Sequence, residues 1–158
     1  MVRRILVALD GSDTSERALR EAIRLAQAPR ARLRLVHVVD EFAAKAAPAA
    51  SLDAFWKAAR AAGRSLLDEA AARARKAGVE PETRLLEIRT LGSLVRRVPS
   101  LIVDEAGRWR ADLIVIGTHG RRGISKLLLG SVADGVVRTA ATSVLLIRGA
   151  GRKAGRAR

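Results

Sequence analysis

A chain of 158 residues fits one domain of ordinary size, and 49% hydrophobic residues suffice for a full core that 3% aromatics and no tyrosine leave to Leu, Val, Ile and Ala. No cysteine occurs, which excludes disulfides, thiolate metal sites and thiol nucleophiles. The formal net charge of +14 favours polyanions, and the four cations between residues 149 and 158 account for less than a third of it.

The opening "RRILVALD" is a short apolar run followed at once by Gly-Ser-Asp, which predicts a buried strand and then a helix start. Its five apolar residues, Ile5 to Leu9, are too few for a signal peptide, and no run approaches the roughly 20 residues that span a bilayer. The expectation is a soluble cytoplasmic protein with no membrane partner. Asp13 or Ser12 can cap the first helix, on which Leu19, Ile23 and Ala26 share one face and Arg17, Arg20 and Arg24 lie elsewhere.

"RLRLVHVVD" predicts a second strand, and an Ala-rich connection interrupted by Pro48 follows it. From Leu52 to Ala77 the pattern is helical, with Leu66, Ala70, Ala74 and Ala77 along one stripe and Gly78 where a C-terminal cap belongs. "ETRLLEIR" is a third strand, and Pro99 places the start of the next helix near Ser100. "DLIVIG" and "TSVLLIR" supply strands four and five around a helix marked by Val132, Val136 and Ala140. Strands alternating with helices predict parallel βαβ units with right-handed crossovers, and nearly continuous apolar strands fit a sheet covered on both faces. The fold class is α/β, a five-stranded three-layer sandwich. One domain covers residues 1–148, and residues 149–158 form a basic tail expected to be disordered.

Behind strand four, Gly117, Gly120, Gly123 and Gly130 punctuate a loop that also carries Arg121, Arg122 and Lys126. Glycines let main-chain amides converge on an anion, and the helix start at Gly130 and Ser131 offers free N–H groups and the positive end of the helix dipole. In open α/β sheets a ligand sits beyond the carboxyl ends of the strands, where the Asp10–Ser12 loop also lies. That chemistry suits a polyphosphate. Neither G-x-x-x-x-G-K-[ST] nor G-x-G-x-x-G is present.

Gly117, Gly120, Gly130 and Ser131 match the G-x2-G-x9-G-[ST] signature of the nucleotide-binding branch of the universal stress protein family at every spacing. The chain resembles that family from residue 2 to 148, through "ILVALDGS", "LVHVVD" and "SVLLIR". The resemblance implies a parallel sheet of order 3-2-1-4-5, helices on both faces and a layout like that of the adenine nucleotide α-hydrolases. It further implies that Asp10 contacts a ribose, that Val38 meets adenine through its main chain, and that Gly117 lies by the ribose. Gly120, Gly130, Ser131 and Val132 would surround the phosphates of ATP, with which Mg²⁺ could arrive. Homodimers would pair through strand five, Val144 to Ile147. The chain departs from the family at Ser143, where Pro is usual, and in residues 89 to 99, which lack a common Gly-Asp-Pro turn.

The function so implied is an ATP-binding regulatory protein of the stress response. Its rivals are a basic scaffold for nucleic acid, which the charge favours and the scarcity of aromatics disfavours, and a slow ATP-hydrolysing enzyme. No catalytic residue is assigned, because Ser12 has no histidine base near it in sequence and reads as a capping hydroxyl. No metal-ligand spacing occurs. His37 reads as packed inside the sheet, His119 as a solvent-facing loop residue, Trp56 and Trp109 as packing residues, and Asp104 and Glu105 as solvated helix positions.

Overall fold

A computed structural model describes residues 2–40, 52–88, 98–118 and 129–149. Nine elements follow in chain order: β1 (Arg4–Ala8), α1 (Asp13–Ala26), β2 (Arg32–Val39), α2 (Leu52–Lys76), β3 (Pro81–Glu87), α3 (Val98–Trp109), β4 (Leu113–Gly117), α4 (Ser131–Thr139) and β5 (Ser143–Ile147). The five strands form one sheet of order β3-β2-β1-β4-β5, and every neighbouring pair is parallel.

Successive strand residues point to opposite faces, so a strand covered on both sides must be apolar throughout. In β1, Ile5 and Val7 join a core with Leu33, Leu35 and Val115, closed by Leu19 and Ala22 of α1 and Leu67, Ala71 and Ala74 of α2. Leu6 faces the other way, into a second core with Val36, Ile114 and Ile116 under Ile102, Ala106 and Trp109 of α3 and Ala133 and Val136 of α4. The described helices therefore lie two on each face. Val7 pairs with Val115 across the β1–β4 seam, and the helices that follow these two strands leave to opposite faces. That divergence opens the switch-point crevice typical of doubly wound sheets.

Local signals decide the helix ends. Ser12 is the N-cap of α1, and its hydroxyl accepts the Ser15 N–H at 3.3 Å. After α2, Gly78 takes φ of 78°, and the Gly78 and Val79 amides donate back to the Arg75 and Ala74 carbonyls at 2.9 and 3.0 Å. This is a Schellman stop of the kind glycine favours. The buried stripe of α2 is rotated by about one residue from the sequence-based expectation: Leu67 and Ala71 join Ala70 and Ala74 inside, while Leu66 and Ala77 are half-buried. Helix α3 is described from Val98, close to the expected start near Ser100, and Pro99 fits a first turn whose N–H groups have no helical partner.

Glu105 corrects an expectation outright. It is 2% exposed rather than solvated, and its carboxylate receives Arg34 Nη1 at 2.6 Å. Arg34 bridges on to Glu82 of β3, and its guanidinium carbon lies 4.6 Å from the centroid of the Trp109 ring. The helical pattern alone cannot foresee this, since the arginine that draws Glu105 inward comes from a distant strand. Trp109 packs as expected, and Asp104 is half-buried.

Candidate functional site

At the top of β1, the Asp10 carboxylate folds back onto the loop: Oδ1 accepts the Ser12 N–H at 3.0 Å and the Ser12 hydroxyl at 2.6 Å. The Asp10 N–H donates to the Ser15 hydroxyl at 3.1 Å. Asp10 thus closes the strand and supports the cap of α1, which fixes its carboxylate over the Ser12 loop. Beside it, β1–β2 pairing ends at Ala8 with Val36, although the Leu9 N–H still donates to the Val36 carbonyl at 2.8 Å. Val38 lies beyond that last pair and stays in register with Leu86 of β3.

Gly117 ends β4 against the first turn of α1. A Cβ there would stand 2.6 Å from Thr14 Oγ1 and 2.9 Å from the Thr14 carbonyl carbon, so any side chain would push the helix off the strand. The glycine therefore lets the end of β4 close against the first turn of α1, whatever else it contacts. Thr118 fastens the next step: its N–H donates to the Ile147 carbonyl at 2.8 Å, and its own carbonyl accepts the Gly130 N–H at 2.8 Å. Sequence patterning missed both threonines, whose roles come from partners more than 10 positions away.

The Gly130 amide is consequently engaged, which corrects the expectation that it is free. Gly130 is the N-cap of α4 and supplies no side-chain bond, and the Asp134 N–H is the one that returns to its carbonyl, at 2.9 Å. The first-turn amides of Ser131, Val132 and Ala133 precede that bond, so helix geometry gives them no partner within α4. They point their donors, with the positive end of the helix dipole, out of the N-terminus beside Thr118. Gly120, Gly123, His119 and the cations Arg121, Arg122 and Lys126 lie outside the described residues.

Among the described residues, no group of three or more His, Asp or Glu could hold a metal ion, and no helix is long and apolar enough to cross a membrane.

The family model for the universal stress protein family matches residues 1–148. This chain belongs to the universal stress protein family. A universal stress protein of Methanocaldococcus jannaschii is 33% identical over 150 residues, covering 94% of this chain and 83% of the relative. Among solved structures, a member of the family from Burkholderia pseudomallei is similar at a TM-score of 0.72 and 37% identity, over 92% of this chain and 96% of that one. A universal stress protein from Archaeoglobus fulgidus in complex with dAMP reaches 0.64 at 30% identity, over 93% and 99%. Another universal stress protein, in complex with cAMP, reaches 0.64 at 28%, over 93% and 97%. As a universal stress protein the chain has the expected sheet order, and it shares its fold with these neighbours in complex with nucleotides.

Proposed function

We propose that this universal stress protein is an ATP-binding regulatory protein of the stress response, working in the cytoplasm, in which occupancy rather than turnover carries the signal. The nucleotide lies between the loops after β1 and β4. Asp10 contacts the ribose, the Val38 main chain meets adenine, and Gly117 lines the ribose. Gly120, Gly130, Ser131 and Val132 surround the phosphates, Mg²⁺ accompanies them, and Gly130 contributes shape while its amide stays bonded to Thr118. The residues fit the ligand because an uncapped helix start faces the same crevice as a carboxylate held by its own loop.

The observation that supports this reading is the seam where Gly117 at the end of β4 meets Thr14 in the first turn of α1, at the point of helix divergence. Solved relatives in complex with dAMP and cAMP support the adenine nucleotide class. Among the described residues beside the seam, the Asp10 carboxylate is engaged by the Ser12 N–H and hydroxyl, which favours binding over hydrolysis. The chain pairs with a second copy through β5, whose Val144 to Ile147 are half-exposed in the single chain and lie at the sheet edge.

Gly130→Val is the test. Gly130 has φ of −61°, which any residue adopts, so the variant should fold while its side chain crowds the phosphates. The expected result is loss of the ATP-induced rise in Tm with the ligand-free Tm retained; an undiminished rise would refute the phosphate assignment. Sedimentation of the same samples checks the pairing, and a monomer at micromolar concentration would dismiss it.

A further inference from the structure

His37 stands on the α2 side of β2, half-buried, between the end of β1 and the middle of α2. Its ring Nδ1 is 2.7 Å from the Leu9 carbonyl oxygen. A carbonyl can only accept, so Nδ1 carries the hydrogen and donates it. The bond joins Leu9, the residue before Asp10, to His37, the residue before Val38. It takes over where strand pairing stops, at Ala8 with Val36.

The seat of the ring is built into α2. A Cβ on Gly63 would stand 2.8 Å from His37 Cδ2 and 2.7 Å from Leu85 Cδ1. Glycine is a poor choice inside a helix, and here its lack of a side chain leaves room for the imidazole. An apolar core would have no need of this pairing. Leucine at position 37 would fill the space without an N–H, and alanine at position 63 would favour the helix.

We propose that His37 is a positioning residue for the nucleoside end of the site. By holding the Leu9 carbonyl, it keeps the Asp10 carboxylate and the Val38 main chain at the spacing that a ribose and its base require. The phosphate end, built from β4 and α4, does not depend on it. This rests on the nucleotide reading above, and the test separates the two.

The experiment is calorimetric titration of the native chain, His37→Leu and His37→Asn with ATP and, separately, with inorganic tripolyphosphate. Asparagine can place an amide N–H near the position of Nδ1, whereas leucine of nearly the same shape cannot. For His37→Leu, ATP affinity should fall five- to tenfold, on the order of one hydrogen bond's worth, while tripolyphosphate affinity stays the same. His37→Asn should bind both like the native chain. Gly63→Ala keeps the histidine but presses a methyl against its ring, and it should show the same split, which covers a leucine variant that fails to fold. Unchanged ATP binding by His37→Leu, equal loss of both ligands, or an asparagine variant as weak as the leucine one would overturn the tether and leave the nucleotide reading standing. A native chain that binds no ATP would overturn both.

Discussion

At the residue scale, the most informative position is Glu105, a carboxylate 2% exposed at the junction of α3 with the sheet. Besides Arg34 at 2.6 Å, Arg84 Nε approaches it at 3.6 Å and Arg108 Nη1 at 4.0 Å. A carboxylate survives such burial because guanidinium groups replace the lost water. Deleting it leaves Arg34, itself largely buried, with one fewer counter-charge. Glu105→Ala is expected to cost about 3 kcal/mol in urea unfolding, the scale of a broken buried ion pair. A loss no larger than that of an exposed i,i+4 pair such as Arg138 with Asp134 would contradict this account. From sequence, Glu105 next to Asp104 in an amphipathic helix looks solvated. What draws Glu105 inward is Arg34, 71 positions away.

At the element scale, two helices stop by the same device with different residues. Helix α2 ends on Gly78, whereas α3 ends on Arg110, with φ of 55° and with the Arg110 and Ala111 amides returned to the Gly107 and Ala106 carbonyls at 3.0 and 2.8 Å. A side chain in the left-handed region is strained where glycine is not. Arg110→Gly should therefore stabilise the chain by about 1 kcal/mol, read as a raised urea midpoint with unchanged slope. A lowered midpoint would mean that the arginine side chain contributes more than its backbone costs. The Gly78 stop was legible because glycine announces it. Its counterpart at Arg110 was not, since nothing in arginine's chemistry marks a left-handed turn.

At the scale of the whole molecule, acid sensitivity follows from carboxylates that tie distant segments together. Asp112 Oδ2 accepts the Arg3 and Arg4 N–H groups, each at 2.8 Å, so the entry to β4 holds the entry to β1. Those two bonds hold the Asp112 carboxyl below the usual aspartate range. For Glu82, burial pushes the pKa up, but the hydrogen bonds and charges of Arg34 and Arg32 outweigh it and the net direction is down. A depressed folded pKa means that the unfolded chain takes up protons first. The stabilisation is present above the unfolded values near pH 4 and is lost as pH falls through the lower folded ones. Urea midpoints should thus be level from about pH 7 to 5 and decline below about pH 4, with a shallower decline in Asp112→Asn. An acid limb unchanged by that substitution would remove Asp112 from the explanation.

The sequence by itself determined the alternation of strands and helices, because apolar periodicity and capping residues act over a few positions. It also marked the G-x2-G-x9-G-S signature, and through it the family's sheet order, which its own periodicities do not encode. Tertiary structure alone decided that Gly117 closes on Thr14, that Thr118 takes the Gly130 amide, that Glu105 is drawn inside by Arg34, and that His37 reaches Leu9. Each of these is a contact between segments far apart in the chain, whose geometry exists only once the sheet has assembled. Local pattern can name the residues that such contacts will use, but the distances between them belong to the packed fold.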